Sequence, residues 1–310
     1  MPDIAVHASF GGEVRRALPA PVSSRLQENV YTLGLFGPDL WFMHRPWQRR
    51  SGRGRRMHTT RTGNFLMALA RRAAVSPQQD ALFSYLAGFL CHYALDSTAH
   101  PYIIDITARV HHFPRSHMSL EHALDLCQLE RDGFLGEAHP VTDHYFPVPV
   151  FPPALAPDLN AVFEEVYGWK QAFPALCRSA RLYRKSYRLM ENPRGLAARL
   201  ARSTGHDLLR SLAYSESQFR NMDPENLEHR PWQHSHDASQ NRGESFPELR
   251  QEAARLAVEL ITAARGFLDG TVTEAALTEK IGSRSYLSGL PVDDARNHLV
   301  SSLLPPKKDA

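Results

Sequence analysis

Residues 80–96, DALFSYLAGFLCHYALD, limit the architecture of this chain more than any other stretch. Leu82, Tyr85, Leu86, Phe89, Leu90 and Tyr93 fall there at three- and four-residue spacings. That is the period of a helix, and the apolar face it makes is broad enough to need several covering elements. The same periodicity returns over residues 118–130, 160–172, 175–190, 195–219 and 248–268, while alternating runs rich in β-branched residues are scarce. The reading is an all-α fold. With 310 residues, 43% apolar and 22% charged, the chain is long enough for one multi-helix domain with a sizeable core. No apolar run approaches the roughly 18 residues of a membrane span.

Prolines supply the main punctuation. Pro147, Pro149, Pro152, Pro153 and Pro157 crowd one stretch and forbid helix interior and central strand alike. The predicted organisation is a His-rich helical half over 1–145, a Pro-rich connection over 146–159, a second helical half of the same domain over 160–304, and a frayed tail over 305–310. A second loop is expected over 221–247. The start, MPDIAVH, lacks the basic and apolar regions of a secretory signal, so the expected compartment is the cytoplasm. Cys91, Cys127 and Cys177 have no CxxC spacing and read as core residues of a reducing compartment.

The net charge of +3 does not by itself imply a polynucleotide partner. Histidine is the informative residue: there are 16, eight of them between His92 and His144. On a helix, His92, Asp96 and His100 are spaced i, i+4 and i+8, which stacks three potential ligands on one face. A lone H-x-x-x-D is more often a satisfied buried pair. Here both flanks are apolar, and a buried imidazole and carboxylate together call for a cation. Pro101 disfavours helical geometry at His100, which predicts a helix end near Ala99 and His100 turned out of the row toward a second ion. Ser116 is expected to cap the next helix, which would carry His117 and Glu121 as another i, i+4 pair. Oxygen and nitrogen donors without thiolate suit a catalytic zinc site.

Arg49, Arg50, Arg53, Arg55 and Arg56 sit in a Gly-broken segment that reads as a solvated loop or as a phosphate-steering lip. Trp41, Phe42 and Trp47 read as core packing. His111, His112, His122, His139 and His144 are assigned to loops without a role, and His206–Asp207 to a helix surface. The string HRPWQHSHD, with His229, His234 and His236, is expected to form a loop closing over the site with Trp232 as its packing anchor.

Taken in order, a further set of strings resembles the zinc-dependent phospholipase C family: MPDIAVHASFGGEV, LGLFGPDLWF, MHTTRTGNF, YLAGFLCHYALDSTAHPYI and HMSLEHALD, with a fainter return at NLEHRPWQHSH. That family is related in fold to the bacterial phosphatidylcholine-hydrolysing enzymes and to the single-strand zinc nucleases. The resemblance implies an all-helical site with two or three Zn²⁺ ions. Asp39, His58, His92 and Asp96 would hold one, and His100, His117 and Glu121 another, with Asp96 bridging to a third ion at His7. In the family an N-terminal tryptophan completes the third site; this chain begins Met-Pro, and Asp3 is the nearest carboxylate to stand in. Asp96 to His100 is shorter than in the secreted enzymes, and Asp39 to His58 longer.

The chemistry implied is attack of metal-activated hydroxide on a phosphodiester, with no Ser or Cys nucleophile. Asp39 is the candidate general base. The expected partner is a phosphoester substrate, a phospholipid headgroup or a soluble ester. A single-strand nuclease of the related fold, served by the arginines, and a non-catalytic metal-stabilised binding protein are the alternatives.

Overall fold

The computed structural model describes residues 4–45, 52–109, 115–192, 199, 203 and 222–298. Asp3, Trp47, Arg49, Arg50, His111, His112, nearly all of the stretch 195–219 with His206–Asp207, and the tail 305–310 lie outside the described residues. The protein is an all-α single domain. In chain order the helices are α1 Ile4–Ala17, α2 Ala20–Ser23, α3 Glu28–Leu35, α4 Arg53–Thr59, α5 Thr62–Val75, α6 Gln79–Ala108, α7 Arg115–Asp132, α8 Pro140–His144, α9 Ala156–Tyr167, α10 Ala172–Met190, α11 Phe246–Leu268 and α12 Glu274–Ile281. A 3-10 segment, Gly37–Met43, links α3 toward α4. Among the described residues the strands are β1 Trp232–Gln233 and β2 Asn241–Arg242, paired antiparallel with Trp232 opposite Arg242.

Helix α6 is the hub. From Ala81 to Ile104 every residue is buried except the half-buried Thr98, the pattern of a helix enclosed on all sides. It packs against α3, α5 and α11. Contact with α3 is backbone to backbone: a Cβ on Gly34 would fall 2.3 Å from the Tyr85 carbonyl, and one on Gly88 2.2 Å from the Tyr31 carbonyl. Two glycines facing each other therefore let the helix axes approach closer than any side chain would allow. Helix α11 starts with a capping box, in which Glu248 accepts from the Ser245 backbone N–H.

The predicted helix end near Ala99 is overturned, since α6 continues through Pro101 to Ala108. Pro101 cannot donate to the Ser97 carbonyl, one turn back. That freed carbonyl meets another segment: a Cβ on Gly289, at φ +68°, would lie 2.3 Å from it. His100 thus stays in the row with His92 and Asp96. Other boundaries shift for local reasons. Helix α9 begins at Ala156, because Pro157 at the first turn needs no N–H partner, and ends at Gly168, which adopts a left-handed φ of +72°. Helix α7 has begun by Arg115, so Ser116 lies inside it and is not its cap. His122 is buried within α7 and is not a loop residue.

The arginine segment also differs from the loop expected. Arg53, Arg55 and Arg56 belong to α4, with Gly52 as its N-cap. Gly54 lies inside that helix because a Cβ there would fall 2.7 Å from the ring of Phe42. Trp41 is fully buried, against Phe163 and Trp169, in keeping with a packing role.

Candidate metal centre

Five elements bring the predicted ligands together. His7 comes from α1, Asp39 from the 3-10 segment and His58 from α4, with His92, Asp96 and His100 from α6 and His117 and Glu121 from α7. Three groups have ligand atoms within 4.8 Å of one another: His7, His92 and Asp96; Asp39, His58 and His92; and His100, His117 and Glu121.

Asp96 stands at the centre. Its Oδ2 is 3.0 Å from His92 Nε2, 3.7 Å from His58 Nε2 and 3.6 Å from His100 Nδ1, while its Oδ1 is 3.3 Å from His7 Nε2. Asp39 Oδ1 lies 3.1 Å from His58 Nε2 and 3.7 Å from His92 Nε2. In the outer group Glu121 Oε1 is 2.9 Å from His117 Nε2 and 3.8 Å from His100 Nε2. The rings stack in pairs, His7 on His92 at 4.1 Å and His100 on His117 at 5.6 Å.

The far nitrogens show why these imidazoles point inward. His58 Nδ1 donates to the Gly54 carbonyl at 2.7 Å, His92 Nδ1 to the Leu35 carbonyl at 2.8 Å, and His100 Nδ1 to the Tyr286 carbonyl at 2.8 Å. A carbonyl only accepts, so Nδ1 carries a proton in each ring, and the neutral imidazole turns a lone pair on Nε2 into the cluster. Those Nε2 atoms, both Asp96 oxygens and Asp39 Oδ1 are buried without a hydrogen bond. Leaving so many polar atoms unsatisfied costs on the order of 1–3 kcal/mol each in an apolar surround. Cations at the points of convergence remove that cost, and the donor set of imidazole nitrogens and carboxylate oxygens fits zinc.

The electrostatics follow burial and proximity. Burial alone would lower the pKa of His92, but the charges of Asp96 and Asp39 outweigh it and raise it to about 9. Burial opposes ionisation of Asp96, yet the neighbouring His92 and His100 hold its carboxyl well below the usual range. His7 is lowered by burial and by His92, and burial drives His100 down to about 3.

Several residues that shape this centre were not singled out from the sequence. Asp125 is fully buried and accepts from the backbone N–H groups of Ala5 and Val6 at 3.0 and 2.9 Å, which fixes the first turn of α1 beside His7. It follows Glu121 by four residues, so its place on the ligand face of α7 was available from spacing. The segment 283–291 is the larger omission. Tyr286 donates its backbone N–H to the His58 carbonyl at 2.9 Å while its own carbonyl holds His100. Its buried ring packs edge-on against His58 and Tyr93. Tyr93 donates to Ile281 O and accepts from Arg284 N, tying this segment to α6. A backbone carbonyl leaves no mark in a sequence.

The remaining histidines are elsewhere. His144 pairs with Glu137 at 2.8 Å and stacks on Phe134, and His139 lies 3.4 Å from Glu191. The 229–237 loop packs at the C-terminal end of α6: Trp232 is buried against Tyr102 and donates to the Glu244 carbonyl. Trp232 thus anchors the loop, although none of its histidines joins a ligand group among the described residues.

Comparison with known families gives one result that agrees with this geometry. The profile described as zinc dependent phospholipase C matches residues 6–170, a span that holds His7, Asp39, His58, His92, Asp96, His100, His117 and Glu121. The match covers more than half the chain, and the chain belongs to that family. No curated protein and no solved structure matches it.

Proposed function

We propose that this member of the zinc-dependent phospholipase C family is a phosphodiester hydrolase, with a phospholipid headgroup ester as its substrate class. The observation that carries the reading is Asp96, whose two bare oxygens face different imidazoles, His7 on one side and His92, His58 and His100 on the other. A carboxylate so placed suits two neighbouring cations. Asp39, His58, His92 and Asp96 would hold one zinc, and His100, His117 and Glu121 another. Asp96 and His7 would hold a third.

When bound, zinc supplies Lewis acidity toward the phosphoryl oxygens and lowers the pKa of a coordinated water toward neutrality. The protein's own groups then orient and exclude. The carbonyls of Gly54, Leu35 and Tyr286 fix the tautomers of His58, His92 and His100. Asp39, whose Oδ1 faces His58, would serve as the general base toward the attacking water. Arg53, Arg55 and Arg56, on the helix that carries His58, draw the anionic ester toward the centre.

Metal analysis of the purified chain should give two or three zinc ions per molecule, and a value near zero would end the metal reading. With zinc present, hydrolysis of a chromogenic phosphodiester should fall at least about 10²-fold in Glu121→Gln, through loss of a metal-dependent step. Full zinc content without turnover would support a binding protein instead.

A further inference from the structure

The outer face of α10 is a strongly basic surface that the metal chemistry does not use. The helix carries Arg178, Arg181, Arg184, Lys185 and Arg188 and no acidic residue. Two of these are engaged by the protein's own groups. Arg184 donates to the Phe146 and Thr142 carbonyls, and Arg188 pairs with Asp143. Arg178, Arg181 and Lys185 are exposed and, among the described residues, lie within ion-pair distance of no carboxylate. Spaced i, i+3 and i+7, they share one face with Leu182 and Leu189, which are 46% and 62% exposed. The opposite face, with Ala172, Ala175, Leu176, Ser179, Ala180, Tyr183 and Tyr187, is buried.

The helix that bears this face borders the candidate centre. Helix α10 packs on the 3-10 segment that carries Asp39, and Ser186 Oγ lies 4.0 Å from Met43 Sδ. His44 is held below the ordinary imidazole range by its burial and then by the charges of Arg53, Arg45 and Arg178. Arg53 stacks over Trp169 at 4.5 Å and over Trp41 at 5.0 Å, and Lys170 follows Trp169 directly. Arg53 and Lys170 thus lie on either side of Trp169, between α4 and the start of α10.

We infer that the outer face of α10 docks the protein on an anionic lipid bilayer. Cations that alternate with two exposed leucines suit a surface where charge attracts and short apolar side chains enter the acyl boundary. A polynucleotide fits less well. It would use exposed aromatic faces for stacking, whereas Trp41, Tyr167 and Trp169 are buried, with Arg53 and Arg56 lying over them. The inference adds a partner surface to the hydrolase reading and does not depend on turnover.

Sedimentation of the zinc-loaded full chain with vesicles of phosphatidylcholine alone, or mixed with phosphatidylglycerol, tests it. The protein should sediment with the mixed vesicles and lose that binding as salt is raised. The triple substitution Arg178→Glu, Arg181→Glu, Lys185→Glu should weaken binding at least about tenfold. Leu182→Ser with Leu189→Ser should weaken it severalfold, and a single-stranded oligonucleotide should fail to displace the protein. Both variants alter exposed positions, so they should keep wild-type zinc content and wild-type hydrolysis of a soluble diester. His92→Ala should still bind vesicles, which separates this surface from the chemistry. Equal binding by the variants and the wild type, equal binding to pure phosphatidylcholine, or displacement by the oligonucleotide would overturn the inference.

Discussion

The inner and outer ligand groups are built differently. Asp39, His58 and His92 are at most 1% exposed, and their imidazoles are steadied by carbonyls of α4 and of Leu35 at the end of α3. The outer group mixes origins. His117 is 17% exposed at its side chain, and His100 is steadied by a carbonyl from Tyr286, 186 residues further along. The inner group thus takes its ligands and the carbonyls that fix their tautomers from the N-terminal part of the chain that the family profile covers, and Tyr286 meets it only through its ring and the His58 backbone. The outer group takes ligands from that part and a support from beyond it. The same metal chemistry can therefore rest on local helix geometry at one site and on late chain closure at its neighbour.

Asp96 is where the contrast is most easily broken. Because its oxygens face His7 on one side and His92 and His58 on the other, Asp96→Asn should remove zinc from the inner position and from the one at His7 while the outer position keeps its ion, and lower phosphodiester turnover by about 10³-fold or more. Zinc content per chain and turnover on one preparation check this, and loss of zinc at the inner position alone would deny the bridging role.

Acidity should separate the groups. In the metal-free protein His92 binds its proton up to about pH 9, whereas His100 is neutral down to about pH 3. A proton on His92 must leave before zinc can bind, so inner-group affinity falls by about tenfold for each pH unit below 9, or roughly a hundredfold by pH 7. His100 adds no such dependence across that range. Competition with a chelator, followed between pH 7 and 9, should show one steep and one shallow class of zinc. Two parallel classes would contradict the assignment of the proton.

The smallest change targets the late support. Gly289→Ala meets the Ser97 carbonyl and a positive φ, and should destabilise the fold by about 2 kcal/mol. Through the shifted Tyr286 carbonyl it should also weaken outer-group zinc about tenfold, and the inner class less, since Tyr286 reaches His58 through its backbone N–H and the edge of its ring and not at a ligand nitrogen. Thermal unfolding and chelator competition on the same variant read both effects.

These regions also differ in how legible they are. The row His92, Asp96, His100 follows from helical spacing, as does the pair His117 and Glu121. Pro101 misdirects the reading of where that row ends, because the cost of a proline inside a helix depends on what else approaches the freed carbonyl. Gly289 lies 192 residues from Ser97 in sequence, and no local rule connects them. His7 and Asp39 have no spacing signal of their own and are reached through the family resemblance. Gly54 reads as a loop former until the ring of Phe42 is seen against it. Tyr286 contributes through groups that every residue possesses, so only the folded chain reveals it.

The facing glycines of α3 and α6 carry a consequence beyond packing. Leu35 follows Gly34 directly, and His92 lies one turn after Gly88. The separation of the two helix axes is thus also the distance across which His92 reaches the Leu35 carbonyl. A bulkier residue at either glycine would push the helices apart and rotate a ligand without touching it. The inner site is in this sense gauged by the chain's thinnest residues, and it has little slack to adapt to an ion of another radius.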